Sequence, residues 1–508
     1  MALLQWLKDG CPPLLFFGFI FLLIIIKLLS NKNLRKSKSK LPPSPPKLPI
    51  LGNLHQLGTM PHLSLHKLAK KFGPIMSLQL GEIPTVVISS ARLAKEAMTS
   101  HDLALSSRPV LYSAKYLFYD CTDIVFAPYG DYWRYIRKIC ILDLLSAKRV
   151  QSYAPVRVQQ VARLVDRVAE SYPGSTDLTK MLGLYANDVL CQVVFGRDFS
   201  EGGDYHRYGF QDMLNDYQEL LGGFSVGDFF PSFNFIHSLT GMKSRLEDTY
   251  RRFDKLFDQI ITEHQNTHEE TNRDKDLLDV LLGMQKEGSV EMPLTMDNVK
   301  AISLDMFAAG TDTTFITLDW TMTELLTNPQ VMKRAQDEVR SIVGERKFVS
   351  ESDLPQLHYM KAVVKEIFRL HPPVPVLVPR ESIQGIVIDG YEIPQKTRFF
   401  VNVWSIGRDS ETWENPETFE PERFLGNNID FKGQDFKLIP FGAGRRGCPA
   451  ITFATAAIEL PLAQLLHGFD WELPRGVAAK DLDMTEVFGI SMHRKEHLLV
   501  VTRPRFSY

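Results

Sequence analysis

The amino-acid sequence predicts a mainly α-helical domain with small β-sheets, preceded by a single N-terminal transmembrane helix. Three observations carry this. Helical periodicity dominates from about residue 129 to 344, with breaks at 172–175, 202–204 and 264–275. Strand-like runs are short and irregularly spaced (75–80, 85–88, 386–393, 398–403, 497–502), so a doubly wound sheet is not indicated. Residues 14–26 are uninterrupted apolar sequence, and 11–30 contain one charge, Lys27, near enough to the end to snorkel.

That apolar run reaches the roughly 20 residues that cross a bilayer as a helix. No small-residue cleavage site follows it. Lys32, Arg35, Lys36, Lys38 and Lys40 follow instead, and positive flanks stay cytoplasmic. The expectation is a retained single-pass anchor over 1–30, with membrane lipid as a partner and the body facing the cytosol. Prolines 42, 43, 45, 46 and 49 stiffen the next stretch, giving a basic, proline-rich linker over 31–50 and a globular domain over 51–508. With 58 basic and 60 acidic residues, the charge balance gives no reason to expect nucleic acid as a partner. Cys11, Cys121, Cys140, Cys191 and Cys448 are scattered, odd in number and free of CxxC spacing, so no disulfide framework is implied.

Within the globule, 75–80 and 85–88 read as a strand pair turning at Gly81, and Ser90 caps a helix to about residue 100. The longest helix starts at the Thr295 cap and ends at Asn328-Pro329. Its middle, 309–314, reads AGTDTT. Glycine and threonine weaken a helix, and threonine hydroxyls compete for backbone carbonyls, so a local distortion is expected. Ala309 and Thr313 share a face, with Asp312 beside them. Two readings stand: a tolerated polar patch, or a groove that holds a small polar molecule and passes protons to it.

Glu366 and Arg369 lie three apart on the next apolar helix, stopped by His371-Pro372-Pro373. Such pairs are common on exposed helices. This one gains weight from Arg423 in the frame Phe419-x-Pro421-Glu422-Arg423-Phe424, because one carboxylate and two guanidiniums can form a satisfied buried network.

Residues 440–450 read PFGAGRRGCPA: one thiol on a glycine-rich, doubly basic turn before a helix start. Unpaired backbone N–H groups and the helix dipole favour thiolate there. A lone cysteine is a poor zinc site but suits an iron already held by a porphyrin. Gly442, Gly444 and Gly447 also fit G-x-G-x-x-G, with a strand-like 436–439 before them and Asp470 about 20 residues on. A membrane-tethered nicotinamide-dependent oxidoreductase using this loop therefore remains a competing reading at this point. A non-catalytic anchored protein that kept the fold is another.

Taken together and in this order, Phe441, Gly444, Arg446 and Cys448, the 309–314 stretch, Glu366/Arg369 and Pro421–Phe424 resemble the cytochrome P-450 superfamily. The anchor, the proline-rich hinge and the wording of the two motifs resemble its plant A-type microsomal members. Trp133-Arg134-Tyr135-Ile136-Arg137 adds the family's W-x-x-x-R helix. One departure is Ala450, where the family usually has glycine; the resemblance still implies that haem is retained.

The resemblance implies the cytochrome P-450 fold and a haem-thiolate monooxygenase. Cys448 would be the axial ligand of haem b, with Arg446, Trp133, Arg137, Arg380, Phe441 and Gly444 around the cofactor. Thr313 would hydrogen-bond dioxygen, the co-substrate, and Asp312 would feed it protons. Glu366, Arg369 and Arg423 would form a structural network. Electrons would come from NADPH through an NADPH-cytochrome P-450 reductase on the endoplasmic reticulum membrane, with Arg134, Lys138, Lys148, Arg149 and Arg445 as candidates for its docking face. The substrate pocket would involve Tyr112, Phe118, Phe307, Ala308, Val374, Val376, Val378, Phe488 and Ile490. These side chains are mostly apolar, which predicts a small hydrophobic substrate, a terpenoid-like skeleton being favoured over an alkaloid or phenylpropanoid.

Overall fold

The computed structural model describes residues 40–199, 210–222, 225–233, 237, 240–267, 275–288 and 292–508. The expected anchor over 1–30 lies outside them, and no helix among the described residues is long and apolar enough to cross a membrane. Six helices frame the site: α1 (Asp131–Ile139), α2 (Leu178–Phe195), α3 (Phe210–Gly222), α4 (Met296–Thr327), α5 (His358–Leu370) and α6 (Ile451–Gly468). The strands are β1 (Ile75–Leu80), β2 (Ile83–Ile88), β3 (Ser175–Asp177), β4 (Arg380–Glu381), β5 (Ile386–Ile388), β6 (Tyr391–Ile393), β7 (Arg398–Val401), β8 (Phe469–Glu472), β9 (Glu486–Val487), β10 (His493–Arg494) and β11 (Leu499–Pro504).

The sheets are small and peripheral. One runs β1-β2-β7-β4, with β1 and β2 antiparallel as expected and β2 parallel to β7. A second runs β3-β11-β8, and β5-β6 and β9-β10 form two antiparallel pairs. The main core lies among α2, α4, α5 and α6, where Leu182, Val189, Trp320, Ile367 and Leu465 are almost fully buried.

Helix α4 runs unbroken for 32 residues. Thr295 and Asn298 close a reciprocal capping box at its start, and Asn328 ends it before Pro329 opens the next helix. The distortion expected at 309–314 does not interrupt the helix, which continues through that stretch. Thr313 Oγ1 donates to the Ala309 carbonyl at 2.8 Å and Thr317 Oγ1 to the Thr313 carbonyl at 2.8 Å, so these hydroxyls share helix carbonyls without opening the ladder. Gly310 is explained by packing: a Cβ there would lie 2.7 Å from Leu190 Cδ1 of α2.

The break expected from residue 264 starts later, because the preceding helix Met242–Thr267 includes His264. That histidine is buried, with Nδ1 2.8 Å from the Ile260 carbonyl and Nε2 3.0 Å from Asp276 Oδ2, so it closes the helix end rather than entering solvent.

Candidate active site

One cavity joins the turn before α6 to the middle of α4. Cys448, Phe441, Gly442 and Gly447 form one side; Ala309, Gly310, Asp312, Thr313 and Thr317 form the other. Much of the remaining wall is apolar: Val125, Phe126, Leu145, Leu190, Val374, Leu377, Val378 and Ile490 all contribute.

The cysteine turn is held by its own backbone. The Cys448 N–H donates to the Phe441 carbonyl at 2.9 Å, and the Ala450 N–H points at Cys448 Sγ at 3.4 Å. Burial pushes the thiol up; the Ala450 N–H and Arg137 act in the opposite sense. The electropositive turn read from the sequence is therefore present but outweighed by desolvation, and a cation at the sulfur would restore the thiolate. Ala450 has φ −99° and ψ 18°, a conformation open to any residue, so its methyl requires no backbone adjustment.

Arg108, Arg137, Arg380 and Arg446 all reach this cavity. Arg446 donates to the carbonyls of Ser106 (2.6 Å) and Ala127 (2.6 Å), with its guanidinium 4.0 Å from the Trp133 ring centroid. Arg137 donates to Gly447 at 2.6 Å and Arg380 to Ala443 at 2.7 Å. Burial lowers all four, Arg446 to about 9. Among the described residues only Arg380 has a carboxylate within ion-pair distance, Asp102 at 3.4 Å. So much buried positive charge with so little matching carboxylate fits a cofactor that brings carboxylates of its own.

Trp133 lines the cavity, its indole N–H donating to the Ile124 carbonyl at 3.0 Å and its ring face supporting Arg446. One expected cofactor contact is placed otherwise. Gly444 is absent from the cavity wall: its φ is +69°, and a Cβ would meet Asp102 Oδ1 at 2.3 Å and the Met98 carbonyl at 2.7 Å. Its glycine serves the approach to Asp102, which also accepts the Arg445 N–H at 3.1 Å. Phe441 does line the cavity, edge-on to Phe368 at 5.2 Å.

Asp312 and Thr313 face the cavity together. Burial pushes the Asp312 carboxyl up, against Ser491 and His493, which act to lower it. Ser491 Oγ lies in hydrogen-bond contact with Asp312 Oδ2 and 2.8 Å from Gln218 Oε1.

Glu366, Arg369 and Arg423 form the expected network away from the cavity. Arg369 makes a bidentate pair with Glu366 (Nε to Oε2 and Nη2 to Oε1, both 2.7 Å), and Arg423 Nε reaches Glu366 Oε1 at 3.0 Å. Arg369 also donates to the carbonyls of Gly407 (2.6 Å), Pro416 (2.6 Å) and Thr418 (2.9 Å), tying three loop positions to α5.

Of the expected pocket residues, Val374, Val378 and Ile490 line the cavity. The other six do not. Tyr112 is stacked on His237 at 3.9 Å, and Phe118 packs on Phe126 and Tyr217 behind the wall. Phe307 faces Phe195 in the core, and Ala308 is fully buried and absent from the cavity wall. Val376 packs with the cluster around β1 and β2, and Phe488 is 40% exposed. Sequence reading missed Arg108, Asp305, Tyr217 and Gln218, all in the wall. Asp305 was findable as a charge set in a largely apolar run; Arg108, in Ser106-Ser107-Arg108-Pro109, and Tyr217 and Gln218 carried no such signal.

The G-x-G-x-x-G reading fails on structure. Residues 436–439 form no strand, and Asp470 is paired with Arg340 at 2.8 Å beyond the far end of α6.

The family model described as Cytochrome P450 matches residues 42–501. A protein named cytochrome P450 71AP13 from Prunus mume is 72% identical over 506 residues, covering 100% of this chain and 98% of that one. A premnaspirodiene oxygenase from Hyoscyamus muticus is 44% identical over 492 residues, covering 96% of this chain and 97% of that one. Among solved structures, a zebra fish cytochrome P450 bound to abiraterone superposes with a TM-score of 0.75 at 27% identity, covering 89% of this chain and 100% of that one.

Proposed function

This chain belongs to the cytochrome P450 family, as a plant A-type monooxygenase of specialised metabolism using haem and O2, and we propose that its substrate is a hydrophobic, terpenoid-like skeleton. The observation that carries the proposal is the cavity in which Cys448 faces Thr313 and Asp312 between largely apolar walls. A premnaspirodiene oxygenase among the relatives is compatible with such a skeleton, and a strychnine-11-hydroxylase at the same 44% identity keeps the alkaloid alternative in the test. With cysteine, acid and alcohol all at one cavity, we set aside the non-catalytic reading.

Haem b, when bound, supplies the activation of O2 and the transfer of one oxygen atom to substrate. Cys448 Sγ would ligate its iron, with the Ala450 N–H moderating the charge on sulfur. Arg446, Arg137 and Arg380 would meet its propionates, Arg108 standing beside them as a fourth cation. Thr313 carries its hydroxyl proton at Oγ1 on the cavity wall, donated to the Ala309 carbonyl, and burial pushes the adjacent Asp312 carboxyl toward its protonated form. The largely apolar wall excludes water and orients the substrate by shape.

The family's redox partner is a reductase. We place its docking on the exposed basic side chains Arg134, Lys138, Lys148 and Arg445, with Arg149 beside them. Arg134 is already paired with Asp131 and Arg445 with Asp102, so Lys138 and Lys148 are the freer charges. An anchor over 1–30, a linker over 31–50 and a catalytic domain over 51–508 at the endoplasmic reticulum membrane complete the proposal.

The test is spectroscopic. The reduced protein with carbon monoxide should give the red-shifted Soret band of a thiolate-ligated haem, and Cys448→Ala should lose it. Thr313→Ala should keep that band while NADPH consumption separates from product. A spin-shift screen against terpenoids, alkaloids and phenylpropanoids then decides substrate class; shifts given by phenylpropanoids alone would refute the terpenoid reading.

A further inference from the structure

One carboxylate grips the turn before Cys448 from outside the cavity. Asp102, in the bend after the helix Ala91–Met98, accepts the Arg445 N–H on both of its oxygens, each at 3.1 Å. Its Oδ1 also lies 3.4 Å from Arg380 Nη1, and its Oδ2 3.4 Å from Arg445 Nε. Arg380 in turn donates from Nη2 to the Ala443 carbonyl at 2.7 Å. Residues 443–445 are therefore held at a carbonyl by Arg380 and at an N–H by Asp102, and these two side chains pair with each other.

Backbone pairing fixes this grip. The segment after Asp102 runs along β4, with the Ile383 N–H donating to the Ala104 carbonyl at 2.8 Å and the Glu381 N–H to Ser107 at 2.9 Å. The Ser106 carbonyl between them takes Arg446 Nε at 2.6 Å. Residues 102–107 thus register β4, which begins at Arg380, against the cysteine turn. Arg380 is buried, and the Asp102 side chain is only 16% exposed. A pair so enclosed is weakly screened, so Asp102 offsets part of the positive charge that Arg380 presents to the cavity.

We propose that Asp102 is a positioning residue that locks Arg380 to the cysteine turn and, through Arg380, tunes how readily the bound haem is reduced. The inference rests on the reading of Arg380 as a partner of the cofactor's carboxylates. Asp102 is absent from the cavity wall, so its influence passes through Arg380 and the turn rather than by contact. Reduction adds one negative charge at the site. A neighbouring anion opposes that step and a neighbouring cation favours it, so removing Asp102 and removing Arg380 act in opposite directions.

The test is spectroelectrochemistry of the full-length holoenzyme without substrate. Asp102→Asn keeps an oxygen for the Arg445 N–H and removes the charge. It should move the ferric–ferrous equilibrium about tenfold toward ferrous, an upward shift of about 59 mV for one electron. Haem content and the carbon monoxide band should stay unchanged. In an Arg380→Gln background the same substitution should move the equilibrium by no more than about threefold, because a residue acting through a partner is non-additive with it. Asp102→Ala, which also strips the acceptor from the Arg445 N–H, should in addition release haem faster to excess apomyoglobin. An unmoved potential in Asp102→Asn overturns the proposal, leaving a structural contact only. An equal shift with and without the Arg380 guanidinium overturns it too, since Asp102 then acts as a bare charge. The parent reading fails separately: Arg380→Gln alone with unchanged potential and unchanged haem release would take Arg380 away from the cofactor, whereas an Arg380→Gln effect beside an inert Asp102→Asn refutes the Asp102 proposal alone.

Discussion

Tyr185 Oη donates to the carbonyl of Ala457 at 2.9 Å, filling the acceptor that Pro461 leaves without a partner inside α6. A proline at that position has no N–H to return to the residue four before it. Both residues are fully buried, so no water can serve instead. The contact also ties α2 to α6 behind the cysteine turn. Tyr185→Phe should cost about 1–3 kcal/mol, the penalty of a buried unsatisfied carbonyl, and lower the thermal midpoint without altering the carbon monoxide spectrum. A midpoint equal to that of the parent protein would show that α6 finds another donor.

Glu366 has 0% exposed side chain against two arginines, with a fourth hydrogen bond from the Glu420 N–H at 2.7 Å. Removing it leaves buried Arg369 cationic and uncompensated, a loss of about 3–5 kcal/mol. Glu366→Ala should therefore give little folded, haem-loaded protein rather than a slow enzyme. Recovery of a stable holoprotein with a kinetic defect would contradict the structural role.

How much of this was legible in the sequence follows from the range of each signal. The Thr295 cap, the β1–β2 pair and the Glu366–Arg369 pair are local or lie within one helix, and each was read correctly. Arg423 could be joined to them because its Phe-x-Pro-Glu-Arg-Phe frame is itself a recognisable turn. The pocket was not legible in the same way. Whether Phe307 or Ala309 faces the cavity is a matter of rotation about α4, and adjacent residues point some 100° apart. Both are compatible with the same run of apolar letters. Gly310 and Gly444 show the same limit: each is glycine because of a neighbour remote in sequence, Leu190 in one case and Asp102 in the other.

Asp123 predicts a pH dependence. Its Oδ2 accepts the N–H groups of Phe126 (2.8 Å) and Val125 (3.1 Å), while Asp305 Oδ2 accepts those of Ile124 (2.8 Å) and Val125 (3.3 Å). Burial pushes Asp123 up to about 6, against the pull of those N–H groups, and pushes Asp305 up as well, with Asp123 adding to it. A carboxyl raised above its unfolded value of about 4 favours the fold while protonated. That contribution is complete below about pH 4 and is lost as pH rises through about 6. Asp123→Asn keeps an acceptor for the loop and does not titrate. Its thermal midpoint relative to the parent should rise between about pH 4 and 7 and then level off. A difference constant with pH would show that Asp123 ionises freely in the fold.

Gly310→Ala sets two effects against each other. Alanine in a helix interior gains about 0.5–1 kcal/mol over glycine. The new methyl would lie 2.7 Å from Leu190 Cδ1 and 3.1 Å from its Cγ, an overpacking of about 1–3 kcal/mol unless the leucine moves. Leu190 lines the cavity, so rotating into it is the open route. The relief then falls on the substrate rather than on the fold. Gly310→Ala should hold its thermal midpoint near the parent value and weaken a spin-shift ligand several-fold, with Leu190→Ala in the same chain restoring the affinity. A large fall in midpoint with unchanged binding would mean that Leu190 stays in place and the two helices separate instead.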